Sequence, residues 1–182
     1  MSIGPPNSVR LRMIRTDLEN IPEFGLPDGF ALRWHEDGDA AHWLRIHARA
    51  DLHNVITPDL FVRQFGTDSN LLAQRQCFLL APGGEVIGTA TAWFNDNFEG
   101  RRIGRVHWVA ILPEYQGSGL SKPLMMTVCK RLRELGHSEA YLVTVSQCNA
   151  AIQLYLHFGF VPLITEDTER VAWREILGKT PG

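Results

Sequence analysis

A mixed α/β domain is the fold class this sequence predicts, and three observations carry it. The first is an apolar strand pattern from Val106 to Leu112, followed by the glycine loop Gln116-Gly117-Ser118-Gly119-Leu120-Ser121 and an amphipathic helix. The second is the same order further on, where Glu139 to Val145 reads as a strand and Asn149 opens a helix. The third is a hairpin pattern, Cys77 to Leu80 and Val86 to Phe94, joined through Pro82-Gly83-Gly84. Periods of two and of 3.6 thus alternate along one chain, with no internal repeat and no interdomain linker.

Each element has a local reason. Met1 to Asp28 is rich in Pro, Gly and polar residues and reads as an N-terminal arm (1–28) laid over a single domain at 29–178. Phe30 to Trp34 reads as a short strand. Asp39 is placed as an N-cap, and the helix it starts runs through Ala50 with Trp43, Ile46 and Ala50 on one face. Thr57-Pro58 puts a capping hydroxyl ahead of a proline at the first helical position, so a second helix begins there. Asn95 to Gly100 reads as a loop into the strand at Val106, and Pro113-Glu114-Tyr115 as the turn that closes that strand. From Leu120 the stripe Leu124, Val128, Leu132 and Leu135 marks a helix that ends at Gly136. Asn149 is a good N-cap for the next helix, and Gly159 suits the left-handed residue just past its end. Val171 to Leu177 reads as a last strand before a polar tail.

Composition excludes several function classes. The 182 residues are enough for a full core, and 45% are hydrophobic. With 18 Lys and Arg against 20 Asp and Glu, nothing favours nucleic acid or an acidic membrane as partner. Lys122, Lys130, Arg131 and Arg133 cluster locally, and a solvated helix face accounts for all but Lys122. No run of 18 apolar residues and no signal-peptide pattern is present, so a cytoplasmic location is expected. Cys77, Cys129 and Cys148 suit neither a disulfide framework nor a metal site, and no metal is expected. His47, Asp51 and His53 lie close together, but no further ligand spacing supports a metal there.

The glycine loop points to a phosphate ligand. A loop that opens a helix directs several N–H groups one way, at the positive end of the helix dipole. A mononucleotide P-loop is excluded, because Lys122 is followed by Pro123 and not by Ser or Thr. The dinucleotide fingerprint fails too, since Lys122 stands where its third glycine belongs. What remains resembles the signature of the GCN5-related N-acetyltransferases (the GNAT superfamily), Gln/Arg-x-x-Gly-x-Gly/Ala. Gln116 and Gly119 meet it, and Ser121 departs from the usual Gly or Ala. The second stretch, Asn149-Ala150-Ala151 through Tyr155 to Phe158-Gly159-Phe160, resembles the family's other cofactor-binding motif in sequence and separation. Together they cover about residues 86 to 164.

The resemblance implies a mixed, strongly twisted central sheet flanked by helices on both faces. It implies an N-acetyltransferase that takes acetyl-CoA as co-substrate and transfers directly to a primary amine within a ternary complex. Gln116, Gly117, Ser118, Gly119, Leu120, Ser121 and Lys122 would hold the pyrophosphate, and Asn149 is either a ligand or only a cap. Val109, Ala110 and Ile111 would meet the pantetheine arm through their main chain where two parallel strands splay apart. Tyr155 occupies the family position of the acid that protonates the leaving thiolate, and also reads as an amphipathic residue at the rim of the core. His107 is the candidate base; a packed strand histidine is the other reading, and Glu99 and Asp96 are alternatives. Simple alternation puts His107 on the face of Val109 and Ile111, and a bulge would reverse it. A small-molecule amine is the expected acceptor and a homodimer is possible in such a family. A catalytically silent acyl-CoA-binding module is the alternative reading.

Overall fold

In the computed structural model, which describes residues 8–178, strands and helices alternate as a mixed α/β chain should. The first elements are β1 (Arg10–Arg15), β2 (Ala31–Trp34), α1 (Asp39–Ala50), α2 (Pro58–Phe65) and α3 (Ser69–Arg75). The middle of the chain gives β3 (Gln76–Leu80), β4 (Val86–Phe98), β5 (Arg101–Ile111), a 3-10 turn at Pro113–Tyr115 and α4 (Ser121–Glu134). Then follow β6 (Ala140–Val145), α5 (Asn149–His157), β7 (Val161–Leu163) and α6 (Asp167–Gly178). One sheet orders the strands β2-β3-β4-β5-β6-β1-β7. Among the described strands, only β5 and β6 run parallel.

Helices cover both faces of this sheet. Thr91 of β4 pairs with His107 of β5, and the His107 ring lies 5.5 Å from Phe65 of α2. That face, with Trp93 against Phe65, therefore belongs to α1 and α2. The neighbouring positions point the other way: Trp34 pairs with Cys77 and Cys77 with Ala90, and Arg131 of α4 stacks on Trp34 at 4.1 Å. Trp43, Ile46, Phe61 and Phe65 on one side and Leu124, Val128 and Leu132 on the other are almost fully buried. Burial of such side chains contributes roughly 1.5–3 kcal/mol each, which is what fixes the helices on the sheet. A buried Asp39, only 2% exposed, is paired with Arg33 and fastens α1 to β2.

Several expectations need correction. Residues 1–7 of the expected arm lie outside the described residues, and Arg10–Arg15 is a sheet strand and not an arm. Leu11 and Met13 are fully buried while Arg12 turns to the other face and pairs with Glu169, so the period of two decides over the polar composition. From Leu18 to Leu26 the chain does lie across α4, with Glu23 bound to Lys130 at 2.6 Å. The loop expected at Asn95 to Gly100 is instead a tight hairpin turn, because Glu99 and Gly100 both take positive φ (52° and 80°). Gly38, not Asp39, caps α1. The last element is a helix and not a strand: Glu169, Ala172, Trp173 and Ile176 are its buried face, a period of 3.6. Glu169 accepts the amides of Thr165 and Glu166 ahead of the helix, at 2.7 and 3.1 Å, and so seeds its first turn.

Candidate active site

The site is built around a fork in the sheet. β5 and β6 pair only at Gly104 with Ala140 and Arg105 with Tyr141. Beyond that, β5 stays with β4 and β6 stays with β1 along its whole length. The cause lies at Trp108, whose φ of 51° is unusual for a bulky residue. Thr91 faces His107 while Thr89 faces Ala110, so Trp108 and Val109 together oppose Ala90, a β-bulge that bends β5 away.

The same bulge settles which way side chains point. His107 and Ala110 both pair with odd-numbered β4 residues and share the α1–α2 face. Ile111 pairs with Gly88 on the opposite face, so simple alternation from His107 to Ile111 is overturned. The main chain obeys its own alternation. Leu112 donates to the Ile87 carbonyl at 2.8 Å, across to β4, which turns the N–H and C=O of Ile111 and Val109 into the fork. Gln116 Nε2 donates to the Ile111 carbonyl at 2.8 Å and ties the glycine loop to the fork.

Past Gln116 the loop rises to α4. Gly117 and Gly119 have φ of 77° and 78°, and a Cβ at either would meet no atom within 4 Å. Their need is conformational, and the space before them is open. No side chain caps α4, so no side-chain acceptor occupies its first amides. Ser121 and Lys122 line a cleft of about 520 Å³ with Ala150, Gln153 and His157 of α5. Lys122 also stands over the Phe24 ring at 5.2 Å. An open fork, Gln116 tied to it and an uncapped helix start thus follow one another along the chain from β5 to α4.

Both titratable groups singled out in the sequence, Tyr155 and His107, are buried. Tyr155 of α5 is 8% exposed, and burial pushes its hydroxyl well above its ordinary value, so it stays protonated. His107 is 6% exposed, and burial, then the charges of Arg105 and His47, hold it well below the usual imidazole value. Its tautomer follows from the neighbours. Trp108 Nε1 is a donor only and reaches Gln64 Oε1 at 3.0 Å; His107 Nε2 lies 2.9 Å from that same oxygen. An oxygen already accepting from the indole can only accept again, so Nε2 carries the proton and Nδ1 keeps the lone pair. Asn149 is the first residue of α5 and exposed; Cys148 holds the cap position expected for Asn149. Glu99 and Asp96 stand at the far hairpin, bound near Arg101 and Arg102.

Sequence reasoning missed Gln64, Trp108 and the partners of His47 and His53. His47 is buried between Trp43 and Trp108, 4.3 and 5.0 Å away, and burial lowers it to about 4. His53 Nε2 meets Cys148 Sγ at 3.5 Å, so the α1–α2 loop touches the start of α5. Among the described residues no group of three or more His, Cys, Asp or Glu could hold a metal. No helix there is long and apolar enough to cross a membrane.

Comparison with known proteins agrees with this fold. A family model described as the acetyltransferase (GNAT) family matches residues 30–160. A mycothiol acetyltransferase of Pseudarthrobacter chlorophenolicus is 32% identical over 162 residues, covering 83% of this chain and 48% of that protein. One from Streptomyces coelicolor is 31% identical over 163 residues, covering 83% and 50%. The chain thus spans about half the length of the curated relatives it matches. Among solved structures, a GCN5-related N-acetyltransferase from Sphaerobacter thermophilus superposes with a TM-score of 0.72 at 17% identity, covering 87% of this chain and 50% of that one. The ribosomal-protein-S18-alanine N-acetyltransferase of Escherichia coli gives 0.59 at 20% identity, covering 74% and 79%.

Proposed function

The chain belongs to the GNAT acetyltransferase family, and from that premise we propose that it moves an acetyl group from acetyl-CoA directly to a primary amine in a ternary complex. It is an acyltransferase by family; the donor, the acceptor and the order of events are our reading. The observation that carries it is the fork, with the groups of Val109 and Ile111 turned into it beside an uncapped helix start.

In this reading the pantetheine arm adds to β5 as a short strand, through Val109, Ala110 and Ile111. The Ile111 amide donates to the thioester oxygen and stabilises the charge that grows there as the amine attacks. Gly117 to Lys122 and the cleft beside α5 take the phosphates, with Asn149 at the cleft's edge. His107 accepts the amine proton at Nδ1, since Nε2–H is committed to Gln64. A neutral imidazole is needed, and burial keeps it neutral. Tyr155 then gives its proton to the thiolate as the carbon–sulfur bond breaks. Acceptor and donor approach from opposite faces, because the bulge separates His107 from Ile111.

The acceptor is proposed to be a small polar amine lodged against the α1–α2 loop. Amines related to mycothiol open the screen, because the relatives carry that name. The first test is calorimetric titration with acetyl-CoA, with ATP–magnesium as control. Saturable acetyl-CoA binding alone supports the reading and justifies an amine screen by thiol release. Absence of binding would overturn it.

A further inference from the structure

At the end of β5 opposite Ile111, three basic side chains face one cleft. Arg75 ends α3, Arg102 lies at the start of β5, and His137 follows Gly136 beyond α4. With Leu135 and Gly136 they line a cavity of about 340 Å³. Arg102 precedes Ile111 by nine positions on β5, roughly 30 Å of extended chain, so the cleft is separate from the glycine-loop end of the fork.

The groups there are held in place yet under-satisfied. Arg75 is 6% exposed, and its Nη1 donates to the Ala92 carbonyl at 3.0 Å. Its Nε, and Nε2 of His137, are buried with no hydrogen-bond partner among the described residues. A buried donor left unpaired costs about 1–3 kcal/mol, so such sites usually have a ligand or a water to accept from them. The Phe94 ring supports both guanidinium groups, Arg75 at 4.6 Å and Arg102 at 4.1 Å. Asp96 reaches the cluster at 3.2 Å from Arg102, but both of those side chains are largely solvated. Burial, then the charge of Arg102, lowers Arg75; burial, then Arg75 and Arg102, lowers His137. Two guanidinium groups therefore face one cavity, Arg75 fixed by packing and Arg102 laid on the Phe94 ring.

We propose that this cleft binds a phosphate-class oxyanion, either free phosphate or a small phosphate monoester, between Arg75, Arg102 and His137. Two planar guanidinium groups and an imidazole N–H supply donors from three elements, which suits a tetrahedral anion better than a flat carboxylate. The site is distinct from the proposed coenzyme phosphates and does not depend on them.

The test is titration of the whole chain with inorganic phosphate, with chloride adjusted to hold ionic strength constant. The readout is the imidazole nitrogen resonances of His137, assigned through His137→Gln. A saturable shift is expected, and Arg102→Gln should weaken it about tenfold, the loss of one charge-assisted hydrogen bond. Gly119→Glu, at the other phosphate-binding candidate, should leave this affinity unchanged. Glycerol phosphate in a parallel titration tells the sources apart: tighter binding assigns a monoester, equal or weaker binding assigns free phosphate. A shift matched by chloride alone, or one that Arg102→Gln does not weaken, would overturn the proposal. Loss of the shift in Gly119→Glu would assign it to the loop and overturn it too.

Discussion

In the proposed mechanism, single side chains decide the chemistry at the fork. Tyr155 is kept protonated by burial, so Tyr155→Phe should lower kcat by about 10²-fold, as expected for loss of a positioned acid, and leave the affinity for acetyl-CoA nearly unchanged. Equal kcat would remove Tyr155 from the mechanism. Gln64 touches neither proposed substrate, yet its carbonyl fixes the His107 tautomer. In Gln64→Leu the imidazole should populate both tautomers, visible as exchange in its nitrogen resonances, and kcat should fall about tenfold with KM for acetyl-CoA steady. An unchanged spectrum would refute that role. The sequence offered Tyr155 through a motif and His107 through its place on the strand, but it held no signal for Gln64. A glutamine on an amphipathic helix looks like any solvated residue until the bulge at Trp108 brings two donors to it.

Elements were legible where period and punctuation agreed. Thr57 caps α2 by accepting from Leu60 at 3.2 Å, Gly136 and Gly159 take the left-handed φ that helix ends require, and Pro82-Gly83-Gly84 turns a hairpin. They were illegible where composition spoke against geometry. Val171 to Leu177 has the β-branched and aromatic character of a strand, but Trp173 and Ile176 can share a buried face only on a helix. The join of loop and α4 gives a prediction of its own. Gly119→Glu adds a strained backbone, roughly 1–2 kcal/mol, and a negative charge at the helix start. It should abolish acetyl-CoA binding while far-ultraviolet circular dichroism stays native; retained affinity would mean the loop holds no phosphate.

At the scale of the whole molecule, two buried neutral imidazoles tie stability to pH. The unfolded chain protonates His47 near its ordinary value of 6.5, whereas the folded chain resists down to about 4. The unfolded state therefore binds more protons in that window, and stability must fall as pH drops through it. For His47 alone the loss is roughly 2 kcal/mol by pH 5, and His107 adds to it in the same direction. Urea midpoints should decline from pH 7 to 5, and His47→Phe should flatten the slope; a flat wild-type profile would refute the burial of these groups. A different consequence follows from β1, which sits inside the sheet between β6 and β7. Arg10 pairs with Val145, so β1 leaves the ribosome about 130 residues before its partner is made. At ordinary elongation rates that is a wait of roughly 7 to 27 s with Leu11 and Met13 uncovered. Until β6 follows, β1 has no strand to pair with, and refolding in vitro should be slow and sensitive to concentration.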